Sequence, residues 1–350
     1  LIKERAETGR IYIMNVDHKM KKDVLSIVIV NLNGIAWLKD CLPSVEGDSY
    51  DSKEIVVVDN GSSDESVKYI KENHKQVILI QNDENKGFSK ANNQGILETS
   101  GEFIILLNND TKVIENGLCK SVEYLKDHQE ISMMCPKILN KDLTQQRGSI
   151  RRIPNLFHFF MSALKLDTIF INNGIFNHMC YGSFQYDKIM PIDQPMGAAM
   201  IFRRSILDDI GGAIDERFFI YYDDVDIAKR VKDKGLKTTF YPEAKIIHYG
   251  GGDSGKIPRK TIRNLSSSKF KFVLKHYGLY STFLLFLIEI IRLIRIVILT
   301  PVYLATGRKP QIWWNIQGVF RSFSLVIGNY GILKQKQNLD YDYMIKNKLF

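Results

Sequence analysis

Short apolar runs recur through the first 140 residues of the chain: Leu25–Val30, Glu54–Val58, Val77–Ile80, Phe103–Leu107 and Ile131–Met134. Most are rich in β-branched side chains. The first four are followed by polar or glycine clusters: Asn31-Leu32-Asn33-Gly34, Asp59-Asn60-Gly61-Ser62, Asn82-Asp83 and Asn108-Asn109-Asp110. Helix-length segments such as Ser63–His74 and Phe88–Glu98 lie between them. Runs that are apolar throughout, rather than at every second position, suit strands covered on both faces. Their alternation with helices predicts an α/β fold with a mostly parallel sheet flanked by helices. Ligands of such sheets bind beyond the carboxyl ends of the strands. The polar clusters occupy those ends, so a site is expected there.

The pattern then changes. Residues 140–190 are irregular and aromatic (Phe157, Phe159, Phe160, Phe170, Phe176, Tyr181, Phe184) and read as an insertion. Regular structure resumes with a small-residue strand at Met196–Phe202 and an amphipathic helix at Asp223–Lys234, stopped by Gly235. Strand-like runs follow at Thr238–Tyr241 and Ala244–His248. From Lys256 to Lys275 the charged residues are all basic, and the only charged residues in the apolar stretch Leu279–Leu304 are Glu289, Arg292 and Arg295. The expected organisation is a polar leader at 1–24, an α/β domain at 25–255 and a basic, apolar helical region at 256–350. The leader has no apolar core of the kind a signal peptide needs.

Composition sharpens the reading of that last region. The chain of 350 residues is 45% hydrophobic and carries a net charge of +9, which suits an anionic partner. The basic tract lacks a groove-reading motif for nucleic acid, whereas basic residues flanking an apolar segment suit an anionic membrane surface. Glu289, Arg292 and Arg295 recur at three-residue spacing and fall on one side of a helix. Each would cost about 2.5–3.5 kcal/mol at the bilayer centre, and the runs between them are shorter than the ~18 residues of a spanning helix. Helices lying in the membrane interface are expected, with Leu284, Leu285 and Phe286 inserted. A helical subdomain packed in the protein and a true span are the alternatives. The four cysteines are scattered, with no C-x-x-C pair, as in a reducing compartment.

Each strand-end motif has a chemical reading and a plain one. In Glu54–Asp64 an acid ahead of a Gly/Ser turn can bind a base or ribose while backbone N–H groups face phosphate, or Asp59 can simply cap the next helix. Asn108-Asn109-Asp110 offers oxygen ligands to a hard cation, and is also good turn chemistry. Asp223, Asp224 and Asp226 open a helix whose dipole stabilises acids. They also crowd against Phe218, Phe219, Tyr221 and Tyr222, a setting in which a carboxylate's proton affinity shifts. His248, ahead of Gly250-Gly251-Gly252, is either packed or a ligand.

Taken in order, Asn31-Leu32-Asn33-Gly34, Asp59 to Asp64, Asn85-Lys86-Gly87-Phe88 through Asn93-Gln94-Gly95, Asn108-Asn109-Asp110, Asp223 to Asp226 and Ile247-His248 form a series. It resembles family 2 glycosyltransferases with the GT-A fold, above all the bacterial rhamnosyltransferase-like branch, over about residues 25–255. The resemblance implies a Rossmann-like domain that transfers a sugar from a nucleotide-diphosphate donor to an acceptor hydroxyl with inversion. It implies donor contacts at Asn33, Asp59, Asn85, Gly87, Asn93, Asn109 and Asp110, with Asp59 at the base. A divalent cation, Mn²⁺ or Mg²⁺, falls to Asp110 and His248. The first acid of the usual D-x-D motif is the amide Asn108, so Asp110 is left as the main charged ligand. Asp224 matches the catalytic base, and Gly197, Asp223 and Asp226 fall on the acceptor side. The donor is expected to be dTDP- or UDP-linked, and rhamnose is the favoured sugar. The acceptor is expected to be a lipid-linked saccharide in surface polysaccharide synthesis, met at the cytoplasmic face of the membrane by a peripheral or monotopic protein. Fingerprints of dinucleotide enzymes and P-loop NTPases are absent. Gln311-Ile312-Trp313-Trp314 does not fit the Q-x-x-R-W of processive synthases, which favours transfer of a single sugar. A non-catalytic nucleotide-sugar or partner-binding protein of the same fold is the alternative.

Overall fold

The computed structural model describes residues 20–182, 184–250, 259–305 and 312–328. Most of the leader, Gly251, Gly252, Lys256 and the Gln311 motif's first residue therefore lie outside the described residues. The first half runs β1 (Lys21–Asn31), α1 (Ile35–Glu46), β2 (Lys53–Asp59), α2 (Ser66–Asn73), β3 (Ile78–Gln81), α3 (Phe88–Leu97), β4 (Gly101–Asn108), β5 (Thr111–Ile114), α4 (Gly117–Asp127) and β6 (Ile131–Leu139). It continues with β7 (Ile150–Arg151), α5 (Leu156–Ala163), α6 (Leu166–Ile169), β8 (Met190–Pro191), β9 (Gln194–Pro195), β10 (Ala199–Arg203), α7 (Ile206–Asp209), α8 (Asp223–Asp233) and β11 (Lys237–His248). Three helices follow: α9 (Arg259–Ile298), α10 (Thr300–Ala305) and α11 (Ile312–Gly328).

The fold is mixed α/β with a mostly parallel central sheet in the order β3-β2-β1-β4-β10-β6-β11-β5, with β8 added to β11. β1 lies parallel to β2 and β4, β2 to β3 and β6 to β11. β10 enters antiparallel between β4 and β6, and β5 runs antiparallel to β11. Both faces of the sheet are buried, which is why the strands read as continuous apolar runs. Ile27, Ile29, Phe103 and Ile105 pack with Leu38 and Leu42 of α1 on one side, while Val28, Ile104 and Leu106 join Ile227 and Val231 of α8 on the other. Two expectations change in detail. The strand expected from Met196 begins at Ala199. The runs on either side of Pro242 form one strand, β11, whose register with β6 shifts between Tyr241 and Lys245, since proline supplies no N–H to the ladder. All four cysteines are free, and burial pushes the thiols of Cys41 and Cys135 up to about 12.

By its contacts the chain divides into two compact units. One comprises Leu1–Arg152, Phe184–Asp215 and Asp223–Gly252 and contains the sheet. The other comprises Ile153–Ser183, Glu216–Tyr222 and Asp253–Phe350, and its regular elements are all helices where described.

In the helical unit, α9 is bent at Gly278, whose φ of 81° few other residues adopt. Glu289, beyond the bend, accepts from Lys269 Nζ (2.7 Å), before the bend, and from Arg292 Nε (2.6 Å). Arg292 Nη1 in turn donates to Asn315 Oδ1 of α11 (2.9 Å). The charges expected to form a stripe therefore turn partly inward: Glu289 is 3% exposed. The exposed positions are the apolar ones, among them Leu279, Phe283, Leu287, Ile291, Ile294 and Ile298. Every described residue exposed between Leu279 and Ala305 is apolar or aromatic. Leu285 is fully buried and Phe286 stacks on Phe323, so of the expected inserting residues these two face the helical interior. Among the described residues no helix is long and apolar enough to cross a membrane.

Burial pushes the Glu289 carboxyl up, but the charges of Lys269 and Arg292 outweigh it and hold the group at about 2, below its ordinary 4.5. A depressed carboxyl adds stability that is fully present above 4.5 and is lost as pH falls toward 2. Glu289→Gln is expected to destabilise the helical unit by about 3 kcal/mol, because two cations lose their partner. Thermal melts should show that gap at neutral pH and its closure in acid.

Candidate active site

The carboxyl ends of β1, β2 and β4 meet in one hydrogen-bond network. Asn31 Nδ2 donates to Asp59 Oδ1 (3.0 Å) and to Ser62 Oγ (3.2 Å), and Asn31 Oδ1 accepts from Asn109 Nδ2 (2.8 Å). Ser62 donates through Oγ to Asp59 Oδ1 (2.6 Å) and through N to Oδ2 (2.9 Å). Asn33, at φ 52°, accepts from Ser63 N (2.8 Å) and gives its own N–H to Ser62 Oγ (2.8 Å). Gly34 is required where the Asn109–Asn31 bond passes. A Cβ there would meet Asn109 Nδ2 at 2.1 Å and Asn31 Oδ1 at 2.4 Å. Asp59, expected at the base, is 2% exposed with both oxygens engaged, so in this arrangement it forms the floor of the loop. Asn33 stands exposed above it.

Asn85 and Gly87 belong to a second part of the same rim. Asn85 Oδ1 accepts from Gly87 N (2.9 Å) and from Asn60 Nδ2 (3.0 Å), which fixes the turn that opens α3. Asn93 is directed elsewhere. Its amide exchanges two hydrogen bonds with the backbone of Ile214 (2.8 and 3.0 Å), a clamp on the chain rather than an open ligand.

Asp110 meets His248 because of β5. That four-residue strand pairs antiparallel with β11 and sets His248 opposite Thr111. Tyr249 N donates to the Asp110 carbonyl (2.9 Å), and its hydroxyl donates to Asp40 (2.9 Å) while its ring stacks on Trp37. Burial and that carboxylate hold the Tyr249 hydroxyl up at about 12. His248 Nε2 lies 3.3 Å from Asp110 Oδ1. On the other side of the ring, Nδ1 lies 2.8 Å from Gln146 Oε1. Gln146 Nε2 donates to Asn140 Oδ1 and to the His248 carbonyl, so its oxygen is the atom that faces the imidazole. In the neutral ring these partners place the proton on Nδ1 and a lone pair on Nε2. A lone pair facing a carboxylate at this distance requires a proton or a cation between them.

These two ligands fit a hard cation only together with other oxygens. Among the described residues no group of three or more His, Cys, Asp or Glu stands ready to hold a metal. Mg²⁺-type sites commonly use one or two carboxylates and complete their shell with substrate phosphates and water.

Asp224 lies in the first turn of α8. Its Oδ2 accepts from Gly197 N (3.2 Å) and Gln194 Nε2 (3.0 Å). Gly197 is what allows this approach, since a Cβ there would stand 3.2 Å from Asp224 Cβ. The next residue, Ala198, accepts from Asn108 N (2.9 Å), so this cluster adjoins the Asn108-Asn109-Asp110 turn. Asp223 is buried beside it. Asp226, expected on the acceptor side, is instead 0% exposed and accepts from Arg230 Nε (2.9 Å). Helical geometry explains this: four residues on, Arg230 lies on the same inward face. The Arg230 guanidinium also donates to the carbonyls of Ile210, Gly212 and Ala213. Sequence reading missed Gln146, Gln194 and Tyr249. Only the position of Tyr249 next to His248 could have pointed to it.

The strand-end network, the acid–histidine pair and the oriented Asp224 carboxylate adjoin the carboxyl ends of the strands, where ligands of such sheets bind. Residues 26–189 match the family model for glycosyl transferase family 2. Among known proteins the chain is 23% identical over 272 residues to an N-acetylglucosaminyl-diphospho-decaprenol L-rhamnosyltransferase of Mycobacterium tuberculosis, covering 73% of this chain and 86% of that one. It is 26% identical over 230 residues to the low-salt glycan biosynthesis hexosyltransferase Agl10 of Haloferax volcanii, covering 65% and 67%. The fold is similar to that of the mannosyltransferase PcManGT from Pyrobaculum calidifontis, solved with GDP-Man and Mn²⁺, at TM-score 0.50 and 14% identity over 86% of each chain.

Proposed function

We propose that this chain transfers a single sugar from a dTDP- or UDP-linked donor to a hydroxyl of a lipid-linked saccharide, with inversion at the anomeric carbon. The observation that carries the reading is the Asp224 carboxylate, held by Gly197 N–H and Gln194 with Oδ1 directed to its own helix start. Such a group can take the proton of an acceptor hydroxyl as that oxygen attacks. Asn33, Asn85 and the loop built on Asp59 would receive the nucleotide. Asp110 and His248 would hold a divalent cation, which supplies charge neutralisation for the departing diphosphate. The relative from Mycobacterium tuberculosis is named for a rhamnosyl donor and a diphospho-decaprenol acceptor. That name supports testing rhamnose and a diphosphate-linked lipid first.

The test is a panel of nucleotide-sugars offered to purified protein with an N-acetylglucosaminyl-diphospho-lipid. Transfer from dTDP-rhamnose or a UDP-sugar, with inverted product stereochemistry by NMR, is expected. Retention at the anomeric carbon would reject a single displacement with Asp224 as base.

The exposed apolar side of α9 supports work at a membrane surface, with the helices lying on the bilayer at its cytoplasmic face. The chain is expected to pellet with anionic vesicles and to be released only partly by high salt, since salt screens the basic residues but not apolar insertion. Protein that stays in the supernatant at low salt would reject the membrane reading and leave the transferase intact.

A further inference from the structure

The helical unit contains two groups of basic side chains among its described residues. Lys269 and Arg292 are neutralised by Glu289. The other group lines a pocket between the start of α9, α11 and the segment 216–222, and no carboxylate is among its lining residues. Arg263, Ser267 and Lys271 recur every fourth residue, so one face of α9 presents all three. Arg321 comes from α11, and Phe219 forms an apolar side.

Two polar atoms of this pocket lack partners. Ser267 is 7% exposed and its Oγ has no hydrogen bond, and Arg263 Nε is buried without one. Lys271, 6% exposed, is held in place by donation from Nζ to the Arg217 carbonyl (3.0 Å). Buried donors are rarely left unmet. Two guanidinium groups and a hydroxyl offer more donors than a two-oxygen carboxylate can accept. The set suits the several oxygens of a phosphate or diphosphate.

We infer that this pocket binds the diphosphate of the lipid-linked acceptor. The inference rests on the lipid-linked acceptor proposed above, and the exposed apolar side of α9 in the same unit supplies a surface for the attached hydrocarbon.

The full chain would be sedimented with phosphatidylcholine vesicles carrying farnesyl diphosphate, with the same vesicles carrying phosphatidylglycerol at equal charge, and with phosphatidylcholine alone. Binding to the diphosphate vesicles should exceed the other two by about tenfold, the worth of about one charge-assisted hydrogen bond. Arg263→Gln and Arg321→Gln should each remove most of that excess while dTDP binding and phosphatidylcholine binding stay unchanged. Arg321 is exposed, so its variant tests the pocket even where Arg263→Gln fails to fold. Equal binding to phosphatidylglycerol would overturn the inference in favour of general surface charge. So would an excess that survives in the Arg321→Gln variant. Inorganic pyrophosphate bound as tightly as the farnesyl diphosphate, with the same dependence on Arg321, would assign the pocket to free phosphate instead. Failure of the wild-type chain to bind dTDP would count against the donor reading and leave the vesicle comparison to be judged by itself.

Discussion

Asp224→Asn is expected to lower turnover by about 10²–10⁴-fold, the range associated with removing a general base. The amide has nearly the shape of the carboxylate, and its oxygen can still accept from Gly197 N. It cannot take a proton from a hydroxyl. Donor affinity should be unchanged, so the loss appears in kcat rather than in the donor KM. Gln194→Ala gives the companion measurement. It removes one of the two donors to Oδ2 and leaves the Gly197 N–H in place, so a smaller loss confined to kcat is expected. Near-normal turnover in Asp224→Asn would move the base elsewhere, first to Asp223.

The second large effect concerns the cation. Excess chelator should abolish transfer, and Mn²⁺ or Mg²⁺ should restore it. Asp110→Ala should weaken nucleoside-diphosphate binding more than it changes selection among sugars, because the ligand it removes would stand with the phosphates. The geometry also provides for the opposite outcome. If transfer is undiminished in chelator, the 3.3 Å contact between His248 and Asp110 is an ordinary ion pair with the proton on Nε2, and the diphosphate must leave with help from other groups. Calorimetry of nucleotide binding with and without Mn²⁺ separates the two cases without relying on activity.

Much of the sheet was legible in the sequence, and the reason is local. Strands buried on both faces leave uninterrupted apolar runs, and their polar ends mark where a ligand can lie. Asn33, Asp110 and Asp224 stand out that way as residues at strand ends or a helix start, while the roles expected of them came from the family resemblance. What the sequence concealed depends on distant partners. β5 has only four residues and no period to detect, yet its pairing with β11 brings His248 to Asp110. Gln146 acts on His248 across 102 positions and Gln194 on Asp224 across 30, and no spacing rule links them. Asp226 and Asp224 look alike in a string of acids. Only the packing of α8 shows that one turns to Arg230 while the other faces Gly197. In the same way the three-residue spacing of Glu289, Arg292 and Arg295 located one side of a helix. It could not tell that Lys269 and Asn315 would draw two of those charges off the surface.

The Asp226–Arg230 latch has a consequence for how the barrier is crossed. Arg230 fastens α8 to three carbonyls of the 210–213 turn, so the helix that carries Asp224 is ordered before any ligand arrives. A base on such a support gives up little freedom on reaching the transition state, whereas a base on a loose loop would have to be ordered in every catalytic cycle. The activation entropy of transfer should therefore reflect the acceptor's loss of motion far more than the protein's.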